Sequence, residues 1–235
     1  MVKEAIILAG GLGTRLRKLV KDLPKPMADI NGKPFLEYIF YYLRSYGVKK
    51  IILAIGYKSE IIKDYFDFKF KDVSIFYSEE KELLGTGGAI KQAITLAQEK
   101  DVFILNGDTF FDINLERFYK FHKDKNSKIS LALKRMENLD RYGVIEIDSD
   151  NKIVAFLEKK HRESGLINGG IYLINRDFYL SLRLPAKFSF EKDLLEKYYS
   201  IYNFYGLPFD SYFIDIGVPE DYERAKKDFK KFKYG

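Results

Sequence analysis

A short apolar run, Ala5 to Ala9, breaks directly into Gly10-Gly11-Leu12-Gly13-Thr14-Arg15. Glycines in that position let backbone N–H groups approach phosphate oxygens with no Cβ in the way. A turn of this kind at the end of a strand is where an open α/β sheet binds phosphates. Ten residues after Arg15 comes Pro24-Lys25-Pro26, in which two prolines stiffen the backbone around one ammonium group. Arg15 and Lys25 could therefore clamp separate phosphates of one nucleotide; a surface loop with two incidental cations is the other reading. Two acids complete the set. Asp108 follows an apolar run and a glycine, and Asp215 lies inside Phe213-Ile214-Asp215-Ile216-Gly217. A carboxylate among such neighbours is costly to bury alone. Mg2+, a hard cation that takes one or two carboxylates plus substrate phosphates, would suit the pair; taken one at a time, each is also open to a salt bridge with a nearby lysine.

Other chemistries are closed off by composition. The 235 residues contain no cysteine and two histidines, His122 and His161, which removes disulfides, thiolate nucleophiles and thiolate metal sites and argues against zinc. The glycine pattern fails the dinucleotide fingerprint at Leu16 and lacks the Gly-Lys-Ser/Thr end of a P-loop. The net charge of +6 is spread along the chain, with one cluster at Lys226, Lys227, Lys230, Lys231 and Lys233. No nucleic-acid module is recognisable, so the excess charge reads as a solvated surface that also suits small polyphosphates. No window approaches a membrane span and no signal peptide is visible. The expectation is a cytoplasmic protein with neither nucleic acid nor membrane as partner.

The elements that would position these residues alternate. Strands are expected at residues 5–9, 50–55, 73–77 and 101–105, and helices at 34–46, 58–66 and 88–100. Pro34 and Gly47 bracket the first helix, whose inner face is Phe35, Leu36, Ile39, Phe40 and Leu43. Asn31-Gly32 marks a turn. Such alternation predicts an α/β, Rossmann-like fold: a mostly parallel central sheet with helices on both faces. Strands at 128–135, 144–147, 153–157 and 171–174, with few helices between them, predict a mixed extension of that sheet. Helices follow at 178–182 and 190–199, then a strand at 212–216 and a helix opened by Pro219. With no linker or repeat, the chain reads as a single domain, its nucleotide-binding half about 1–110 and its sugar-phosphate half about 111–235.

The blocks Leu8 to Arg17, Leu23 to Met27, Leu84-Gly85-Thr86-Gly87-Gly88-Ala89, Asn106-Gly107-Asp108, Phe156-Leu157-Glu158-Lys159, Asn168-Gly169-Gly170-Ile171-Tyr172 and Phe213 to Gly217 together resemble the signature of sugar-1-phosphate nucleotidyltransferases. They occur in the family's order and span nearly the whole chain. The resemblance implies the nucleotide-diphospho-sugar transferase fold. It also implies attack of a sugar phosphate oxygen on the α-phosphorus of a nucleoside triphosphate, Mg2+ as cofactor, pyrophosphate as leaving group and a possible homodimer. A phosphate monoester is already mostly a dianion at neutral pH, so no general base is needed, in keeping with so few histidines. Positioning and charge neutralisation carry such a reaction.

By that resemblance Leu8, Gly10, Gly11, Gly13 and Thr14 wrap the nucleotide, with Gly85, Thr86 and Asp108. Arg15 neutralises the leaving pyrophosphate and Lys25 holds the α-phosphate. Asp108 and Asp215 bind the metal. Gly143, Glu158, Lys159, Asn168 and Gly169 face the sugar phosphate; Lys160 stands where the family often has proline. The Leu-Gly-Thr-x-Gly loop looks like the guanylyl branch, and Glu80 could accept the N1–H and N2–H2 donors of guanine, so GTP is the favoured nucleotide; a solvated acidic loop is the alternative. Within that branch the run from Leu23 to Leu36 looks closest to bacterial enzymes acting on D-glycero-D-manno-heptose 1-phosphate, with mannose 1-phosphate the nearest rival substrate and a uridylyl-, thymidylyl- or cytidylyltransferase for another sugar 1-phosphate after it. Outside the class, a non-catalytic regulatory relative could have lost Arg15, Lys25 or either aspartate, and all four are present. A cytidylyltransferase for a phosphorylated amino alcohol is left open by the 18 Tyr and 20 Phe.

Overall fold

A computed structural model describes residues 1–11, 20, 22–137, 139, 142–158 and 163–234. Strands β1 (Glu4–Leu8), β2 (Asp29–Ile30) and β3 (Lys33–Pro34) precede helix α1 (Phe35–Ser45). β4 (Lys50–Ile55), α2 (Ser59–Phe66), β5 (Lys69–Phe70), β6 (Val73–Glu79), α3 (Gly85–Ala93) and β7 (Asp101–Asn106) continue the alternation. Then come β8 (Thr109–Phe111), α4 (Leu115–Asp124), β9 (Ile129–Glu137), β10 (Val144–Ile147), β11 (Ile153–Leu157) and β12 (Ser164–Asn175). The chain finishes with α5 (Arg176–Ser181), a π-helical turn Phe190–Leu195 running into α6 (Glu196–Tyr198), β13 (Phe204–Phe209), β14 (Phe213–Asp215) and α7 (Pro219–Asp228).

Eight strands form one sheet in the order β13-β9-β12-β7-β1-β4-β6-β5. The β7-β1-β4-β6 stretch is parallel, and β12 and β5 run against their neighbours. Strand periodicity divides the apolar side chains between two layers. Ala5, Ile7, Ile51, Leu53, Phe103 and Leu105 pack on one side with α1, α2, α4 and α7, whereas Ile6, Ile52, Ala54, Val102 and Ile104 pack on the other with α3, α5 and the π-turn. The expected α/β architecture, mostly parallel with a mixed extension, is what forms.

Several expectations are corrected. β10 and β11 pair only with each other, outside the main sheet; they cover a small cluster of Leu139, Val144 and Ile167. The helix expected at 88–100 begins three residues earlier at Gly85 and gives way to a tighter 3-10 turn, Ile94–Leu96. Its inward residues Ile90, Ala93, Ile94 and Ala97 are buried as read. α4 and β13 were not anticipated. The Asn31-Gly32 turn does close the β2–β3 hairpin, both residues adopting positive φ (55° and 85°) as a type I′ turn requires.

The two halves are locked together at the end of the sheet opposite the glycine loop. Asp101, at the start of β7, accepts hydrogen bonds from Asn175 Nδ2 at 3.2 Å and Lys123 Nζ at 3.1 Å, and faces His122 Nε2 at 3.5 Å. His122 Nδ1 lies 2.8 Å from the buried Ser130 hydroxyl. Burial by itself would raise the Asp101 pKa, but His122 and Lys123 outweigh it and hold the carboxyl at about 2. Because the folded value lies below the unfolded one, this stabilisation is complete above the unfolded value of 3.8 and is lost as pH falls toward about 2. The shift corresponds to about 2 kcal/mol. Replacing Asp101 by Asn should lower the unfolding free energy at neutral pH by about that amount. It should also flatten its decline between about pH 4 and about pH 2, as read by urea denaturation across a pH series.

Candidate active site

The carboxyl ends of β1, β4, β6 and β7 open onto a cleft of about 570 Å3, lined by Leu8, Gly10, Gly11, Lys25, Glu80, Gly85, Thr86, Asp108 and Glu191 among others. This is the edge at which open α/β sheets bind ligands. Close backbone contacts build its floor. Gly107 N–H donates to the Leu8 carbonyl at 2.9 Å, and a Cβ at Gly107 would lie 2.6 Å from that oxygen. A Cβ at Gly10 would meet the Glu80 carboxylate at 2.7 Å, while one at Gly11 would meet nothing within 4 Å among the described residues.

Lys25 is the first residue of a 3-10 turn, Lys25–Met27, flanked by Pro24 and containing Pro26. Its side chain is 9% exposed, and its ammonium group donates to Asp108 Oδ2 at 2.6 Å and Asp215 Oδ1 at 3.3 Å. The two acids are far apart in sequence; the antiparallel pairing of β14 with β8 joins them by placing Asp215 opposite Thr109. Ile216 N–H donates to the Asp108 backbone carbonyl, Gly217 N–H donates to Asp215 Oδ1, and Thr109 Oγ1 donates to Asp108 Oδ1. Burial, and then the charge of Asp108, raise the Asp215 pKa; Lys25 opposes them. Of the two readings of these aspartates, the salt bridge is the one that forms: one lysine bridges a pair of carboxylates. As a donor set, two carboxylates that leave remaining positions to phosphate oxygens fit Mg2+; no cluster of three or more acidic, histidine or cysteine ligands occurs among the described residues.

The second glycine block has a structural reason. Gly85 has φ +72°, and a Cβ there would lie 2.6 Å from the Phe188 carbonyl oxygen. A Cβ at Gly87 would strike the Phe188 ring at 2.1 Å, and one at Gly88 the Ala186 carbonyl at 2.2 Å. The Phe188 carbonyl accepts from Gly87 N–H at 3.0 Å and Gly88 N–H at 3.4 Å, so first-turn donors of α3 are capped by protein. The Thr86 hydroxyl is engaged as well, donating to Glu191 Oε2 at 2.7 Å and accepting from Phe190 N–H at 2.9 Å.

Glu80 lines the cleft beside Gly10. Its backbone N–H donates to the Ile55 carbonyl, its Oε2 accepts Leu84 N–H at 3.0 Å, and burial raises its pKa. On the other half, β12 breaks register with β9 between Asn168 and Tyr172, a bulge that turns Asn168 toward Tyr172 and gives Gly170 a φ of +73°. Asn168 Nδ2 donates to Tyr172 Oη at 2.8 Å. A Cβ at Gly169 would meet Phe111 at 2.4 Å, so this position packs against β8. Gly143 and Glu158 lie at the paired ends of β10 and β11, beyond the cleft's lining; Glu158 is exposed. Gly13, Thr14, Arg15 and Lys159 lie outside the described residues.

The family's nucleotidyl transferase model matches residues 4–231. The chain belongs to the nucleotidyl transferase family. It is 52% identical over 93% of its length to the D-glycero-alpha-D-manno-heptose 1-phosphate guanylyltransferase of Campylobacter jejuni, covering 96% of that protein. To the enzyme of the same name from Aneurinibacillus thermoaerophilus it is 48% identical, covering 97% of this chain and 99% of the other. A crystal structure of HddC from Yersinia pseudotuberculosis complexed with GMP-PN superposes with a TM-score of 0.87 at 37% identity, over 97% of this chain and 100% of that one.

In this nucleotidyltransferase one charged residue of the cleft lining, Glu191, escaped the sequence reading. Glu191 sits in a 190–199 segment read as an ordinary helix, in which one more acid among lysines looks like surface. No helix among the described residues is long and apolar enough to cross a membrane. Replacing Lys25 by Met leaves two facing carboxylates without their cation, which should cost about 2 kcal/mol of stability. Millimolar Mg2+ should recover more of that loss in the variant than it adds to the wild type, as read by thermal melts with and without the metal.

Proposed function

We propose that this nucleotidyltransferase transfers GMP from GTP to D-glycero-D-manno-heptose 1-phosphate, giving the GDP-sugar and pyrophosphate. The observation that carries the reading is the Lys25-bridged pair Asp108 and Asp215 on the floor of a cleft at the strand ends. The two carboxylates have the charge to hold a cation, and Lys25 between them has the charge to hold an α-phosphate. The names and near-full-length identity of the two guanylyltransferase relatives support the choice of base and sugar.

The sugar phosphate is the nucleophile. One of its oxygens bonds to the α-phosphorus as the bridging oxygen to the β-phosphorus departs with the pyrophosphate. Two anions must approach in line, so the barrier is electrostatic. Asp108 and Asp215 would hold Mg2+, which supplies charge neutralisation to the phosphates. Lys25 exchanges its carboxylate contacts for the α-phosphate. Arg15 is assigned to the leaving pyrophosphate, and Gly143, Glu158, Lys159 and Asn168 to the sugar phosphate. Glu80 has one oxygen on Leu84 N–H and the other beside Gly10 at the cleft wall, and we assign it to the donor edge of guanine. The setting is a cytoplasmic step supplying activated heptose to surface polysaccharide.

Pyrophosphate release with GTP, CTP, UTP, dTTP and ATP against heptose, mannose and glucose 1-phosphates tests the reading. Turnover should be highest with GTP and the heptose phosphate and fall at least about a hundredfold in Asp108→Asn. Highest turnover with mannose 1-phosphate would replace the sugar and keep the mechanism; binding of a nucleotide sugar without turnover of any pair would make the protein a regulator. Glu80→Gln, which trades an acceptor for a donor, should cut the preference for GTP over ATP by about tenfold, and an unchanged preference would remove Glu80 from base recognition.

A further inference from the structure

Glu191 has no part in the mechanism above, yet it lines the cleft that Lys25 and Asp108 share. It lies on the π-helical turn Phe190–Leu195, a local geometry that recurs at functional sites. Among the described residues its carboxylate accepts only from hydroxyls: Thr86 Oγ1 at 2.7 Å and Ser189 Oγ at 3.2 Å on Oε2, and Tyr172 Oη at 3.5 Å on Oε1. Among the described residues it forms no ion pair. A carboxylate without a cation is an awkward wall for a cleft that must take a triphosphate and a sugar phosphate, unless it orders neighbouring donors.

The direction of those bonds defines the order. An ionised carboxylate can only accept, so Thr86 and Tyr172 are the donors, Thr86 at 2.7 Å and Tyr172 over a long 3.5 Å. With its hydrogen so engaged, Tyr172 Oη is left to accept, and it does so from Asn168 Nδ2 at 2.8 Å. Asn168 Oδ1 is taken by Gly170 N–H at 3.0 Å, so the amide is held at both ends, and among the described residues its second N–H has no partner. One chain therefore runs Asn168 to Tyr172 to Glu191, and Thr86 enters it from the other side. It joins α3, in the half that holds the nucleotide, to the bulge of β12, in the half assigned to the sugar. Bonds in such a chain polarise one another, and a group that donates at its centre would reverse its direction.

We propose that Glu191 is a positioning residue that aligns Asn168 for the sugar phosphate through Tyr172 and ties that alignment to Thr86 on the nucleotide side. This rests on the nucleotidyltransferase reading of the cleft. Glu191→Gln keeps the shape and puts a donor at the centre of the chain. Tyr172→Phe removes one link while keeping a ring that fills the same fully buried site. Steady-state pyrophosphate release by the full chain should show KM for the sugar 1-phosphate raised about tenfold in each variant, with KM for GTP changed less than about threefold. The double variant should be no worse than either single one, because both cut the same chain. Additive effects overturn the proposal, as does an equal rise in both KM values or a fall in kcat with KM for the sugar phosphate unchanged. Should Glu191→Gln fail to fold, Tyr172→Phe alone decides by the same split in KM. Wild-type turnover separates the two claims: if the wild type works and the variants show no split, only Glu191 loses its assignment. If the wild type turns over no pair, the functional reading falls and takes this one with it.

Discussion

One ammonium group between two carboxylates is the constraint around which this nucleotidyltransferase is arranged. Asp108 and Asp215 repel each other, and Asp215 is already penalised by burial, so their approach is tolerable only with a cation between them. Each part of the arrangement has a visible support. Gly107 allows β7 to run tight against the end of β1, the pairing of β14 with β8 carries Asp215 across, and Pro24 and Pro26 hold Lys25 in its turn. The arrangement leaves one buried positive charge at the floor of the cleft, beside the end of β7.

The first half of the fold was legible because its strands are buried on both faces and its helices on one. Uninterrupted apolar runs such as Ile51 to Ile55 and the stripe along α1 leave little choice of period. The second half obscured itself. α4 reads Leu-Glu-Arg-Phe-Tyr-Lys-Phe-His-Lys-Asp and buries only Leu115, Phe118 and His122, a stripe too narrow to stand out; its clearest mark was the cap at Asn114, whose side chain accepts from Arg117 N–H. β13 carries Gly206 and Pro208, the residues that usually argue against a strand, and it is tolerated because it is the last strand of the sheet. β10 and β11 were correct as strands and misplaced as members of the sheet, since pairing partners are set by contacts distant in sequence.

At the site the pattern was similar. Lys25, Asp108 and Asp215 were legible from their surroundings: stiff proline neighbours, a strand end, an apolar flank. Glu191 was not, because nothing in Ser-Phe-Glu-Lys-Asp announces that one residue will turn inward on a π-turn rather than outward on an α-helix. Gly85, Gly87 and Gly88 were legible as a block, with only Gly85 expected at the nucleotide, and each of the three meets backbone or side chain of the 186–188 segment that crosses them.

That crossing has a consequence for how such a family can change. The Phe188 carbonyl occupies donors at the head of α3 that would otherwise favour an anion, and three successive close contacts leave no room for even a methyl group there. The most recognisable stretch of the chain is therefore frozen by its own architecture, whatever ligand lies above it. New specificities must arise at the margins of that stretch, at side chains such as Glu80 and Glu191 whose ends reach into the cleft. Relatives that share the glycine block in full can then differ in what they accept, and a match to that block says more about ancestry than about diet.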